Sequence, residues 1–295
     1  MEPIERARLS LEGLSMGDAF GERFFGIDEH VAPLVARRAM PGARMWRYTD
    51  DTEMALSIVE HLGRAGAVDQ DVLATAFARR MDPARGYGAG AFRVLTHVRE
   101  GGDWRRASRG SFRGGGSYGN GAAMRVAPLG AFFAHDVERC VHEARLSAEI
   151  THAHEEGIAG AIAVAAAAAL AWERHGSELP LGRGWLRRVR DLVPTSHVRG
   201  GIDEALGLPS ETPTHAAARK LGNGAGVTAP DTVPFCLWIA SWFSHDFVEA
   251  MWQTVSALGD RDTTCAIVGG IVSVQVGEQG IPTGWREARE PLPGS

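Results

Sequence analysis

Apolar residues recur every three to four positions through most of the chain, the spacing of helices that bury one face. This pattern predicts helices over residues 9–19, 53–62, 71–81, 137–150, 155–173, 233–243, 246–257 and 263–276. The second ends at Gly63, and the third at the break Asp82-Pro83. No run alternates β-branched and polar residues, and no βαβ rhythm is present, which counts against a doubly wound sheet. The longest apolar run, GIAGAIAVAAAAALAW at 157–172, is short for a membrane span and dominated by alanine, so it reads as a buried helix. Residues 200–226 are polar and broken by Pro and Gly, and read as a lid or long loop. No repeat or linker marks a boundary. The expectation is an all-α fold: a single multi-helix domain over 1–290 with a flexible tail at 291–295.

Composition narrows the setting. The 295 residues are 44% hydrophobic and 23% charged, an ordinary globular balance with enough chain to bury a core. A net charge of -5 carries no basic footprint, so a nucleic-acid partner is not expected. Lys220 is the only lysine. Arginine forks suit phosphate and carboxylate partners, and genomic codon bias accounts for the same usage. Cys140, Cys236 and Cys265 are far apart and form no CxxC pair, which argues against a disulfide framework or a structural zinc site. The N-terminus lacks an apolar signal core, and no long exposed apolar stripe stands out. A cytoplasmic monomer without membrane association is expected.

Four segments carry candidate chemistry. In WRYTDDT at 46–52, Asp50 and Asp51 stand before a helix whose positive end keeps them ionised. With Thr49 they offer hard oxygen ligands suited to Mg²⁺ or Mn²⁺, or else serve as an acidic helix cap. In GDRDTT at 259–264, Asp260 and Asp262 alternate before an almost wholly apolar helix. Two unpaired carboxylates at a buried helix start are costly, and a cation relieves that cost; capping by Asp262 is the alternative. In FRGGGSYGNGAAMR at 112–125, backbone amides can form a nest for phosphate oxygens at a helix start, with Ser117 and Asn120 as side-chain donors, or the segment is a flexible loop. In THAH at 151–154, the two histidines are spaced i, i+2, which does not suit a two-His metal clamp on a helix face. His152 is then either structural or a partner for a base or phosphate.

Seven ordered segments spanning nearly the whole chain together resemble the ADP-ribosylglycohydrolase family. They are GLSMGDAFG at 13–21, WRYTDDTEM at 46–54, RGYG at 85–88, GSYGNGAAMRVAPLG at 116–130, SAEITHAH at 147–154, GNGAGVTAPDTVPFCLW at 222–238 and GDRDTTCAIVGGI at 259–271. The resemblance implies a compact all-α domain with two divalent cations, Mg²⁺ or Mn²⁺, at the base of a cleft. It implies Thr49, Asp50, Asp51, Asp260, Asp262 and Thr263 as metal ligands. It implies Gly116, Ser117, Tyr118, Gly119 and Asn120 around a diphosphate, with Phe112 and His152 flanking adenine. Two positions depart from the family pattern. Phe25 stands where many members have a glutamate that gates the metals, with Glu22 as a displaced substitute, and Arg261 stands where threonine is usual.

The implied reaction hydrolyses the bond from C1 of the distal ribose of ADP-ribose to an acceptor, a protein side chain such as arginine or serine or the remainder of a small ADP-ribose derivative, with cations orienting the ribose and polarising water. Asp51 or Glu22 is expected to take the proton. The rivals are a non-catalytic ADP-ribose binder or structural protein on the same fold, and a metal-dependent phosphohydrolase of the diphosphate. Acceptor choice is expected in rim segments 24–44, 85–90 and 200–226.

Overall fold

Helix α1 (Pro3–Glu22) carries Gly13, Gly17 and Gly21 at four-residue intervals, so all three lie along one stripe. That stripe packs directly on helix α15 (Arg261–Val276), the other end of the chain. A Cβ on any of the three would collide with α15, at Ser273 and the Gly269 carbonyl, at the Cys265 carbonyl, and at the Arg261 carbonyl. Gly269 meets the Gly13 carbonyl from the opposite side. The two backbones therefore touch, and the start of α15 is pinned beside the end of α1.

The computed structural model describes residues 1–42 and 45–293. Between α1 and α15 lie α2 (Asp28–Ala36), α3 (Asp50–Ala65), α4 (Gln70–Arg80), α5 (Ala89–Arg99), α6 (Trp104–Gly110), α7 (Ala127–Phe132) and α8 (Val137–Glu149). There follow α9 (Glu155–Ala171), α10 (Gly182–Leu192), α11 (His197–Gly207), α12 (Thr214–Leu221), α13 (Ala229–Phe243) and α14 (Phe247–Ser256), with α16 (Thr283–Ala288) after α15. Among the described residues, extended pairing is limited to the isolated bridges Trp46–Arg289 and Gly119–Thr228. The fold is all-α and forms one domain.

The apolar run predicted as a core helix is α9, in which every residue from Glu156 to Ala171 is buried. Helices α7, α8, α10, α13 and α15 surround it. Its alanines let these neighbours approach from all sides, which is why it shows no polar face.

Several boundaries differ from the expectation. Helix α3 starts at Asp50 and runs through Gly63 to Gly66, which ends it with φ 70. Residues 200–226 are mostly helical, covered by α11 and α12, which leaves residues 208–213 and the turn after Leu221 as loops. Glu156 stabilises α11 by accepting from the amides of His197 (2.6 Å) and Val198 (3.0 Å). Of the expected tail, Leu292 is buried in the core, while residues 294 and 295 lie outside the described residues. Of the expected rim segment 24–44, residues 28–36 form α2, and residues 43 and 44 lie outside the described residues.

Candidate active site

The α1–α15 seam places Asp18, which follows Gly17, beside the first turn of α3. Asp18 is fully buried and is the acceptor that α3 needs. Its carboxylate takes the Thr49 amide (2.9 Å) and hydroxyl (2.9 Å), and the Thr52 amide (3.1 Å) and hydroxyl (2.5 Å). Thr49 is the N-cap residue of α3, yet its own side chain caps nothing. Asp18 caps the helix from outside. The carboxylates of Asp50 and Asp51 are thereby released from capping.

They are released into a low-dielectric site crowded with like charge. Asp50 and Asp51 are the first two residues of α3, so their side chains diverge by about 100° around the helix axis. Asp50 faces a cleft of about 370 Å³ that Asp260, Asp262 and Thr263 also line. Asp51 turns inward. Carboxylate oxygens of Asp18, Asp51 and Asp262 lie within 4.8 Å of one another. One Asp51 oxygen, Oδ1, is buried with no hydrogen-bond partner.

Burial and mutual repulsion raise the carboxyls of this cluster above the usual range. Asp18 is pushed up to about 6 by burial, against the Thr52 and Thr49 hydrogen bonds. Asp50 is pushed up to about 8 by burial and then by the Asp18 charge. Asp51 and Asp262 are held well above the ordinary carboxylate range, by burial first and then by the charges of Asp262 and Asp260 respectively. Asp260 is raised by burial, against the hydrogen bond that Asn120 Nδ2 donates to its Oδ2 at 2.7 Å. An orphaned, buried oxygen within a cluster of hard oxygen donors fits divalent cations of the Mg²⁺ or Mn²⁺ type.

The glycine-rich segment forms the facing wall. Gly119 bridges to Thr228, and the Ala229 amide donates to the Tyr118 carbonyl at 3.0 Å, so the turn before α13 holds this loop. On its other side the loop leans on residues 152–154. Gly116 has φ +73, and a Cβ there would lie 2.7 Å from the His154 amide nitrogen. A Cβ on Gly121 would lie 2.9 Å from the His152 ring. The loop continues into a 3₁₀ turn, Asn120–Ala122, rather than the expected α-helix. Asn120 departs from expectation too. Its amide is committed to Asp260 and, at 3.1 Å, to the Thr232 hydroxyl, so it anchors the loop to the acidic cluster.

The remaining predicted residues divide. Phe112, Gly119, Ser117, Tyr118 and His152 line the cleft with Asn120, while Gly116 lies behind the loop. Phe112 projects an exposed ring from a backbone with φ 52, followed by Arg113 with φ 62. Consecutive left-handed non-glycine residues are strained, and such strain concentrates at ligand clamps. The His152 ring contacts the Thr151 hydroxyl at 2.8 Å, and burial beside Arg125 pushes it down to about 3, so it stays neutral. His154 caps α9 by accepting from the Glu156 amide at 3.1 Å. Thr49 lies below the cleft, its hydroxyl engaged with Asp18 and Asp51. Neither Asp51 nor Glu22 lines the cleft: Asp51 is beneath it, and Glu22 is exposed at the end of α1, one turn past Asp18.

The two departures from the resemblance touch each other. Arg261 is buried, forms an ion pair with Asp28 at the start of α2, and lies 5.5 Å from the Phe25 ring centroid. The arginine thus pairs with a carboxylate, one of its two expected roles, through one terminal nitrogen, while its Nε is buried without a partner.

Four participants carry no signal in the local sequence. Asp18 stands in GLSMGDAFG at 13–21, but a lone aspartate on a small-residue stripe gives no metal-ligand spacing. Arg125 is fully buried; it donates to Thr151 Oγ1 and the Ser147 carbonyl at 2.9 Å each and joins the ends of the loop and α8. Thr228 and its neighbour Val227, at φ 53, complete the cleft wall.

Fold and site define a class: an all-helical protein that gathers buried carboxylates from three helix ends beside a glycine-rich loop. A family model described as ADP-ribosylglycohydrolase matches residues 1–293, and the chain belongs to that family. It is 30% identical to the ADP-ribosylhydrolase ARH3 of Homo sapiens, over 97% of this chain and 90% of that protein. It is 27% identical to the ADP-ribosylarginine hydrolase Tri1 of Pseudomonas putida, over 97% of this chain and 74% of that protein. A solved structure titled ADP-ribosylglycohydrolase-related protein complex shares the fold, with TM-score 0.68 and 24% identity, over 98% of this chain and 93% of that one.

Proposed function

We propose that this protein hydrolyses the glycosidic bond between C1 of the distal ribose of ADP-ribose and an acceptor, a protein side chain such as arginine or serine. The observation that carries this reading is a single cleft bounded by Asp50, Asp260 and Asp262 on one side and by the loop 117–121, His152 and Phe112 on the other. Family membership and the named activities of the human and Pseudomonas relatives support it.

Asp18, Asp51 and Asp262, with Asp260 and Thr263 on the cleft side, would hold the divalent cations, whose charge would also keep the neighbouring Asp50 ionised. When bound, such cations supply Lewis acidity and orient the ribose hydroxyls. The loop amides at 117–121 receive the diphosphate, and Asn120 keeps them in register with Asp260. Phe112 offers a ring face to adenine, and neutral His152 offers a second surface without bringing charge. Water attacks C1 as the bond to the acceptor breaks, and positive charge builds on the ribose. The cleft carboxylates oppose that charge. Asp50 takes the water proton at its carboxylate and passes it to the departing acceptor atom. It is the cleft-lining carboxylate with no side-chain hydrogen bond, since Asp260 is held by Asn120 and Asp262 by the Thr263 amide at 2.7 Å.

Incubation with ADP-ribosylated arginine and serine peptides, with Mg²⁺ or Mn²⁺ and then with EDTA, tests the reading. The expected product is intact ADP-ribose, released only with the cation. Release of AMP and ribose phosphate would show a diphosphate hydrolase. Binding of ADP-ribose with no product from either peptide would favour a non-catalytic binder.

A further inference from the structure

A second cavity, of about 550 Å³, opens between α5 and α6 and is lined by Arg93, Val94, His97, Arg106, Ala107, Gly110 and Ser111. It contains no carboxylate. Arg93 and Arg106 are exposed and make no hydrogen bond or ion pair among the described residues. The surroundings reinforce the charge: residues 89–113 hold six arginines against two carboxylates, in a chain whose net charge is -5. Arg105 is the arginine of this stretch that is neutralised, by Asp71 at 2.6 Å, away from the cavity. Two guanidinium forks above a floor of Val94 and Ala107 make a receptor for phosphate oxygens.

The position of this cavity matters more than its charge. It shares two walls with the main cleft. Ala89, Gly90 and Ala91 line the main cleft, and Arg93, Val94 and His97 continue the same helix into the second cavity. Arg93 follows Gly90 by three residues, a rise of about 4.5 Å. Ser111 lines the second cavity and Phe112 the first, so adjacent residues face the two spaces. The Phe112 ring rests 3.2 Å from where a Cβ on Gly90 would lie. A ligand that reaches Phe112 from the acidic end therefore meets, one helical turn further on, a pair of unneutralised arginines.

We propose that the α5–α6 cavity is a phosphate subsite for the adenosine end of the ligand, so that the preferred ligand is ADP-ribose carrying a further phosphate on its adenosine ribose. This rests on the reading above, in which Phe112 meets adenine. The subsite adds affinity without touching the reacting bond.

Calorimetric titrations of the full chain with Mg²⁺ compare ADP-ribose with ADP-ribose 2′-phosphate, in the wild type and in the double variant Arg93→Ala/Arg106→Ala. The expected result is at least about tenfold tighter binding of the phosphorylated ligand by the wild type. The double variant binds both ligands equally and keeps its affinity for ADP-ribose within about twofold. Equal affinities in the wild type, or a preference that survives in the double variant, overturn the proposal. Inorganic pyrophosphate titrated in EDTA probes the cavity separately: the wild type binds it at one site more than the double variant, which keeps only what the loop 117–121 binds. If ADP-ribose fails to bind while pyrophosphate binds in this arginine-dependent way, the main-cleft reading fails and the anion site stands. If pyrophosphate binds both proteins alike, the anion site itself is refuted.

Discussion

Two helix starts meet at the base of the cleft, and they are built in opposite ways. The start of α3 is capped by a residue from another helix: Asp18 accepts its amides and hydroxyls, leaving Asp50 and Asp51 free of capping. The start of α15 is served by its own carboxylate, since Asp262 Oδ1 accepts from the Thr263 amide, while Asp260 is steadied by Asn120 of the loop. One side is buried and braced from α1, the other partly exposed and tied to the ligand-facing loop. A carboxylate freed from capping is available for chemistry, and one that is held in place sets geometry.

The largest effect separates chemistry from scaffold. Asp50→Ala and Asp262→Ala should each lower turnover about a thousandfold or more, measured as ADP-ribose released, with the circular dichroism spectrum unchanged. Full activity in either variant would remove that residue from the reaction. Next, Asp18→Ala should destabilise the protein by about 3 kcal/mol, because it leaves the Thr49 and Thr52 amides buried without an acceptor. Denaturant unfolding measures it. A loss below about 1 kcal/mol would mean that α3 does not depend on its external cap.

The acidic cluster predicts an unusual pH dependence for the metal-free protein. A carboxyl raised on folding binds more protons in the native state than in the unfolded one, so stability is greatest below its unfolded pKa and falls as pH rises through its native value. Asp18 rises from 3.8 to about 6 and Asp50 from 3.8 to about 8. In EDTA the melting temperature should therefore fall between about pH 4 and pH 8, and Mg²⁺ should restore it most at the alkaline end. A melting temperature that rises over this range in EDTA would contradict the repulsive cluster.

Smaller effects probe the α15 side. Asn120→Ala should cost about 1 kcal/mol in stability and weaken ADP-ribose binding about tenfold, because the loop loses its tie to Asp260. Calorimetry distinguishes this from a purely structural loss, which would leave the affinity of the folded protein unchanged. Glu22→Gln should change turnover less than about threefold, since the side chain lies outside the cleft. A hundredfold loss would return Glu22 to the catalytic role suggested by its position in the chain.

Much of this was legible in the residues themselves. The apolar periodicity located α9, α13 and α15, and both acidic segments stand at helix starts as their patterns predict. The glycines of GLSMGDAFG were visible as a motif but not as a seam, because their purpose lies in the backbone of a helix some 250 residues away. The same distance hid Asp18. Asn120 was read as a phosphate donor because nothing local shows that Asp260 lies within hydrogen-bond reach. The helices α11 and α12 were missed because Gly and Pro mark breaks reliably but do not exclude short helices between them.

Sequence alone determined where helices form, which residues are apolar enough to be buried, and which segments carry carboxylates, glycines and histidines, because periodicity and turn chemistry act within a few residues. Only the tertiary structure decided which carboxylates share a site, which one serves as a cap, and which arginines remain unpaired. Those outcomes depend on how closely α1 and α15 approach, and that distance is set by the absence of side chains where two distant backbones touch.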